Sequence, residues 1–470
     1  MADETPDAPR DDVPGAIPPL RDETGELSPA FVAAIVTAIE AADAATATAL
    51  AGNLHEVDLA DVLMALPPGD RSLFVLLLGA RFDFTALTEV DQSVRIEILE
   101  ALPSNVVADG LRELESDDAV YILEDLDEAQ KFEILSQLPL PERTALQRSL
   151  DYPEESAGRR MQTDFIAVAP FWTVGQTIDY LRNEKDLPDD FYEIFVIDPR
   201  YRLLGTVSLD RMLRTQRHVR IGEVMNEARH LVKATEDQEV VARIFERYNL
   251  LSAAVIDEAD RLVGVITIDD IVDVIQQEAE EDLRALAGVG DEEISDSVLE
   301  TVRGRFVWLF FNIFTAFAAA AVISSFEYSI GEMVALAALM PIVASMGGNA
   351  GAQSMTVAVR ALATGDIDKR NALRTIRREA VVGLVNGVLL AILIGTISGL
   401  WFRNLGLGLV MGAALIVNLV VAGLAGILIP LTLNRLRVDP AVASSVFVTT
   451  VTDVVGFFAF LGLATWLLIG

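Results

Sequence analysis

The chain has 470 residues, 52% of them hydrophobic, with three histidines, no cysteine and a net charge of −34. From residue 304 onward it carries seven acidic and ten basic side chains, so the preceding 303 residues hold a net −37. Disulfides, thiolate metal sites and cysteine nucleophiles are excluded, and so acidic a half disfavours nucleic acid and anionic lipid surfaces while attracting cations.

A chain of this length is expected to hold several domains. Residues 1–27 form an acidic, proline-rich leader with neither a basic nor an apolar stretch, so they read as disordered rather than as a signal peptide. Residues 28–157 contain a repeat with a period near twelve: VLMALPPGD at Val62, ILEALPSNV at Ile98, ILEDLDEAQ at Ile122 and ILSQLPLPE at Ile134. Pro67, Pro103 and Pro139 end short helices whose apolar faces must stack on their neighbours. An α-superhelical domain is predicted.

Residues 158–274 hold a longer repeat. EIFVIDPRYRLLGTVSLDRML (193–213) and SAAVIDEADRLVGVITIDDIV (252–272) superpose with an offset of 59. Each copy reads as strand, charged turn, strand and capped helix. This doubled pattern resembles a tandem pair of CBS domains, α/β regulatory modules that commonly bind adenine nucleotides or sense ions. Residues 275–303 read as an acidic amphipathic linking helix with a weak point at Gly288–Gly290.

Five apolar spans follow in residues 304–470, at about 304–325, 333–362, 379–401, 405–431 and 441–469. Lys369, Arg370, Arg374, Arg377 and Arg378 lie between the second and third, and Arg435 and Arg437 between the fourth and fifth. The positive-inside rule places these loops and the N-terminal half in the cytoplasm and the C-terminus outside.

Within the spans, Asp453 in TTVTDVVGFF is the acidic residue farthest from a span end. A carboxylate in hydrocarbon is expected to line a polar path, the plainer alternative being a protonated Asp bonded between helices. The stretch PIVASMGGNAGAQSMTVAVRALATGD (341–366) brings Gly347, Gly348, Asn349, Gly351 and Gln353 into the second span. Packing by small residues accounts for its glycines but not for its amides. Asn418 in the fourth span is a further candidate for the path, with a helix–helix hydrogen bond as the alternative. One carboxylate with amide and backbone oxygens suits a hard cation, and magnesium tolerates few carboxylates because it keeps its waters. Manganese, cobalt and calcium remain open on this chemistry alone. No nucleophile–base pair, P-loop or zinc motif supports an enzyme: there is no HExxH, and His55, His218 and His230 are not at ligand spacing.

GGNAGAQ at 347–353, RALATGDI at 360–367, VDPA at 438–441 and TTVTD at 449–453, together with the domain order, resemble MgtE-type magnesium channels over nearly the whole chain. The resemblance implies a homodimer with its pore on the dimer axis in the cell's inner membrane. It makes Asp453 the main pore ligand, Thr449 a carbonyl donor and the GGN segment a wall. It also implies a cytosolic magnesium sensor at Asp117, Asp118, Asp237, Glu239, Asp270, Asp273, Glu278, Glu281 and Asp282, and leaves ATP at the CBS pair as a possible second ligand. Bound magnesium would relieve carboxylate repulsion there and close the pore; a merely solvated acidic face is the alternative. The chain departs from the family pattern at Asn249, where Asp is common, at Tyr121, where a DDxxD motif would end in Asp, and at Ser445–Val446, where a proline is usual. The missing proline is expected to straighten the fifth span. A CBS-regulated carrier or anion channel and a membrane-anchored sensor without transport are the competing classes; Asp453 argues against anions, and both Asp453 and GGNAGAQ against the second class.

Overall fold

A computed structural model describes residues 18–470, apart from residues 186, 189, 190, 229, 288, 290–297 and 368–370 and the side chains of residues 300 and 442–444. The chain divides into two compact units, Met1–Ile275 and Gln276–Gly470.

Among the described residues, the first unit opens with nine α-helices: α1 (Pro29–Glu40), α2 (Ala44–Ala51), α3 (Glu56–Ala65), α4 (Asp70–Leu78), α5 (Gln92–Ala101), α6 (Ser104–Leu111), α7 (Ser116–Glu124), α8 (Glu128–Gln137) and α9 (Leu140–Leu150). The prolines act as expected. α3, α5 and α8 each end at a leucine with ψ near 146°, 145° and 149° (Leu66, Leu102, Leu138), and each leucine precedes one of the three prolines. A residue before proline is pushed out of the helical region, so the chain turns there and starts the next helix. The three leucines are themselves buried in one continuous core that runs from Phe31 to Leu146. Arg71 and Arg95 staple successive repeats. Each donates to two carbonyls of the preceding helix–loop segment and to a carboxylate of the next repeat: Arg71 to Glu97 at 2.6 Å, Arg95 to Asp125 at 2.5 Å.

Next come β1 (Ala167–Val168), α10 (Val174–Asn183), β2 (Glu193–Ile197), β3 (Leu203–Ser208), α11 (Leu209–Leu213), α12 (Ile221–Val224), β4 (Leu231–Lys233), α13 (Gln238–Tyr248), β5 (Ser252–Ile256), β6 (Leu262–Thr267) and α14 (Ile268–Ala287). They build two three-stranded sheets of the same order, β1–β2–β3 and β4–β5–β6. The offset of 59 extends to the register: Glu193 pairs Ser208 as Ser252 pairs Thr267, and both hairpins slip at the equivalent place, Val196/Ile197 and Val255/Ile256. Asp198 and Asp257 make the turns by accepting backbone N–H bonds two and four residues ahead. Asn249 takes the left-handed conformation (φ 50°) that caps α13. Asn tolerates that geometry well, which gives this departure a structural reason.

α14 corrects the expected linking helix. It begins at Ile268 as the last helix of the CBS repeat and runs without a break to Ala287, because nothing in IDDIVDVIQQEAEEDLRALA interrupts it. Gly288 and Gly290 lie outside the described residues.

The second unit holds α15 (Val298–Ser324), the short α16 (Glu327–Glu332), α17 (Ala335–Ala363), α18 (Ala372–Trp401), α19 (Leu405–Arg435) and α20 (Pro440–Ala464). Among the described residues, five helices are long and apolar enough to cross a membrane: Thr301–Ser324, Ala335–Ala363, Ala372–Trp401, Leu405–Arg435 and Ser445–Ile469. The third starts seven residues before the expected 379, so Arg374, Arg377 and Arg378 stand in the first two turns of α18 rather than in a loop. Hydropathy marks where a span becomes apolar, whereas the helix extends into the polar flank. Large apolar side chains stay exposed on α15 and α18 (Phe310, Phe314, Leu389, Ile392), as a lipid environment requires. α20 is unbroken through Ser445–Val446.

Candidate pore and sensor sites

In the membrane unit, α17 and α20 meet where Gly351 faces Val448 and Thr452; a Cβ at Gly351 would lie 2.6 Å from Val448 Cγ1. This close crossing sorts the predicted residues by face. Asn349 and Gln353, four apart on α17, are exposed; so is Thr449 on α20, with Asp453 one turn further and half-buried. Helical spacing places each pair on a common side. Gly348 also opens outward, since a Cβ there would meet nothing within 4 Å. Among the described residues, α17 and α20 therefore carry a polar, carboxylate-bearing surface that the rest of the chain leaves partly uncovered.

Two predicted members stand elsewhere. Gly347 is buried against α19, and Asn418 is sealed completely, its Nδ2 donating to the Val343 carbonyl at 2.9 Å. The Thr449 carbonyl, expected as a ligand, already accepts from Thr452 Oγ1 at 2.9 Å in addition to its helical bond.

One carboxylate was missed. Glu379 lies two turns into α18, is 8% exposed, and accepts from Ser354 Oγ at 3.0 Å. Taking residue 379 as the edge of a span hid it.

In the same unit, the end of α14 packs through Ala285 and Leu286 against Met355, Val359, Ala441 and Val448 of α17 and α20. Partial burial, and then the facing Asp439, push the Asp282 carboxyl above its ordinary range. Asp439 was quoted within VDPA but not recognised as a partner of Asp282. It also caps α20, accepting from Ala441 N at 2.8 Å. Glu278 and Glu281 are half-buried on the same stretch of α14.

In the first unit, α7 and the start of α14 bring Asp117, Asp118 and Asp270 together. Asp117 is 6% exposed and one of its carboxyl oxygens has no partner. Burial, and then Asp270, drive Asp117 well above the carboxylate range. Burial also raises Asp270, while Thr267 Oγ1 donates to it at 2.6 Å and holds it back. Both members of the pair are thus held above the ordinary carboxylate range. Desolvation and Asp270 push Asp118 up to about 7. At the rim, partial desolvation raises Asp273 and also Glu89, which sequence reasoning missed. Among the described residues no three Asp, Glu, His or Cys side chains stand as a ready metal shell. The acids are crowded without being assembled as ligands.

Asp237 and Glu239 have local work. Asp237 caps α13 through Glu239 N at 2.9 Å, and Glu239 lies 3.8 Å from Arg243. Tyr121, the DDxxD departure, lies under Arg95 (4.4 Å) and Arg160 (5.3 Å). Glu124, one turn on, pairs with Arg159 at 3.3 Å and Arg160 at 3.8 Å. Thr163 N donates to Ser116 Oγ at 2.7 Å and Gln162 donates to Glu115. Cationic and neutral contacts therefore join α7, beside the acidic cluster, to residues 159–163, which run along the second CBS sheet: Gln162 N donates to the Val265 carbonyl and Met161 packs with Val255. Residues of both CBS sheets, Phe165, Tyr192, Phe195 and Thr267 among them, line a narrow cleft.

Comparison with known proteins agrees with this organisation. Residues 340–463 match the family described as divalent cation transporter, 54–155 the MgtE intracellular N domain and 221–277 the CBS domain. A magnesium transporter MgtE of Enterococcus faecalis is 37% identical over 316 residues, 67% of this chain and 70% of that protein. The MgtE of Bacillus subtilis is 30% identical over 414 residues, 88% and 92% of the two chains. Among solved structures, the cytosolic domain of the Mg2+ channel MgtE in complex with ATP is 28% identical. It covers 52% of this chain and 99% of its own, with a TM-score of 0.48.

Proposed function

The chain belongs to the MgtE family of magnesium transporters, and from that premise we propose that it is a homodimeric magnesium channel of the cell's inner membrane, closed when cytosolic magnesium occupies its acidic N and CBS domains. The observation that carries this reading is the partly uncovered polar surface of α17 and α20, with Asp453 on it. Polar side chains inside a span need water, ion or protein beside them. A second copy of the same surface across a two-fold axis meets that need and supplies a second Asp453. Two carboxylates with amide oxygens from Asn349 and Gln353 suit a divalent cation that keeps part of its water shell. Thr449 contributes its carbonyl once the Thr452 hydroxyl turns away.

Arg374, Arg377 and Arg378 at the start of α18, with Arg435 and Arg437 at the end of α19, set both ends on the cytosolic side by the positive-inside rule. The C-terminus then lies outside. Magnesium at Asp117, Asp118, Asp270 and Asp273, and at Glu278, Glu281 and Asp282 with Asp439, relieves repulsion that opposes closure. Asp237 and Glu239 are the least engaged in this scheme. ATP at the CBS pair, carried with magnesium to offset the acidic surface, is the second ligand of this reading.

Flux into proteoliposomes tests the pore. Asp453→Ala is expected to abolish magnesium entry while the protein stays dimeric; magnesium entry at the parental rate in that variant sinks the reading. Parallel runs with manganese, cobalt and calcium separate the magnesium channel from a channel for another divalent cation.

A further inference from the structure

Asn418 of α19 is fully buried, and it touches both pore helices at once. A Cβ on Gly347 of α17 would collide with its amide, and one on Gly456 of α20 would stand 2.7 Å from its Nδ2. The planar amide thus occupies a slot between two glycines. One glycine stands two residues before Asn349, the other three residues after Asp453. Its single hydrogen bond, Nδ2 to the Val343 carbonyl, ties it to α17. Its Oδ1 has no partner. A buried, unmet carbonyl is unfavourable, so the amide is a poor choice if filling space were the whole task. A branched aliphatic side chain would lose both the flat shape that enters the slot and the bond to Val343. Sealed inside the chain, Asn418 also lacks access to an ion on the outer polar face of α17 and α20.

We infer that Asn418 is a positioning residue rather than a pore ligand: its amide is a wedge that sets the separation of the GGN wall from the Asp453-bearing helix, and through it the width offered to a hydrated cation. The inference rests on the pore reading above. Its distinguishing signature is size compensation. A methyl at residue 347 has no room beside the amide, but it has room once the amide is removed.

The test uses the full-length protein in proteoliposomes and measures magnesium and calcium entry for Asn418→Ala, Gly347→Ala and the double variant, with Asp453→Ala as reference. Size-exclusion chromatography and thermal midpoints check assembly. Asn418→Ala is expected to lower the magnesium-to-calcium ratio about tenfold, and Gly347→Ala to suppress entry. The double variant should recover entry about tenfold over Gly347→Ala alone, a coupling within the range for contacting side chains. A merely structural role lowers yield or thermal midpoint but leaves the ion ratio unchanged, and that outcome overturns the inference. Additive losses with Asp453→Ala inactive overturn the wedge alone. Asp453→Ala at the parental rate removes the pore reading, and the wedge with it.

Discussion

Asp118 offers the most direct handle on the sensor. Its carboxyl titrates near 7 in the folded chain against 3.8 for an unperturbed side chain, because it is desolvated and faces Asp270. The folded state therefore holds one more proton than the unfolded state between roughly pH 4 and pH 7. Stability linked to this group is fully present below pH 4 and is lost as pH rises through about 7. A shift of some three units, at about 1.36 kcal/mol each, amounts to about 4 kcal/mol at pH 8.

Asp118→Asn removes the ionising group and so should remove this loss. In full-length protein without divalent cations, hydrogen exchange across α7, corrected for intrinsic rates, should show the parent losing protection from pH 4 to pH 8, with about 1.4 kcal/mol of the loss above pH 6. Asp118→Asn should lose far less. Magnesium should restore protection to the parent at pH 8. Because the proton must leave before the ion binds, the magnesium needed for half-protection should rise as pH falls below 7. If the parent's α7 is equally protected at pH 6 and pH 8 without metal, the crowding of Asp117, Asp118 and Asp270 does not carry the energy assigned to it.

Two other tests address the scaffold and the gate. Arg95 is 2% exposed, paired with Asp125 and stapled to the Leu87 and Val90 carbonyls, so Arg95→Ala should destabilise the N domain by about 3–5 kcal/mol. Chemical denaturation followed by the N-domain signal checks it, and a change below about 1 kcal/mol would mean the staple is dispensable. Deleting residues 1–273 should leave flux that no longer responds to magnesium on the cytosolic side, and persistent inhibition would move the sensor elsewhere.

Features written as spacing were the legible ones. The 59-residue repeat extended to strand pairing and bulge position because the same apolar strands and the same Asp turn recur in both copies. The twelve-residue repeat placed the helix ends because proline acts on its immediate neighbour. The outward face of Asn349, Gln353, Thr449 and Asp453 was implicit in helical spacing. What stayed hidden depends on distant partners. Glu379 looked like a flanking charge until Ser354 was found beside it. Asp439 read as part of a motif, not as the group facing Asp282. Asn418 carried two readings, a path residue or a helix–helix hydrogen bond, and packing favours the second: its amide is sealed between glycines and bonded to Val343, whereas that of Asn349 is exposed.

Tyr121 shows how such a departure can change a sensor without removing it. Where a third carboxylate would add repulsion and a ligand, this chain has a ring beneath the guanidinium groups of Arg95 and Arg160. With Glu124 held by Arg159 and Arg160, this gives α7 and the segment 159–163 on the second CBS sheet an attraction that needs no metal. Under the proposed gating, magnesium would act on a junction already partly held. A cation–π contact of this kind contributes about 0.5–2 kcal/mol depending on its exposure. Tyr121→Ala should therefore raise the magnesium needed for half-inhibition of flux by about threefold or more, since 1.4 kcal/mol corresponds to tenfold. Tyr121→Phe keeps the ring and should leave the midpoint near the parent's. A midpoint unmoved by Tyr121→Ala would mean that the arginines hold the junction through Glu124 alone.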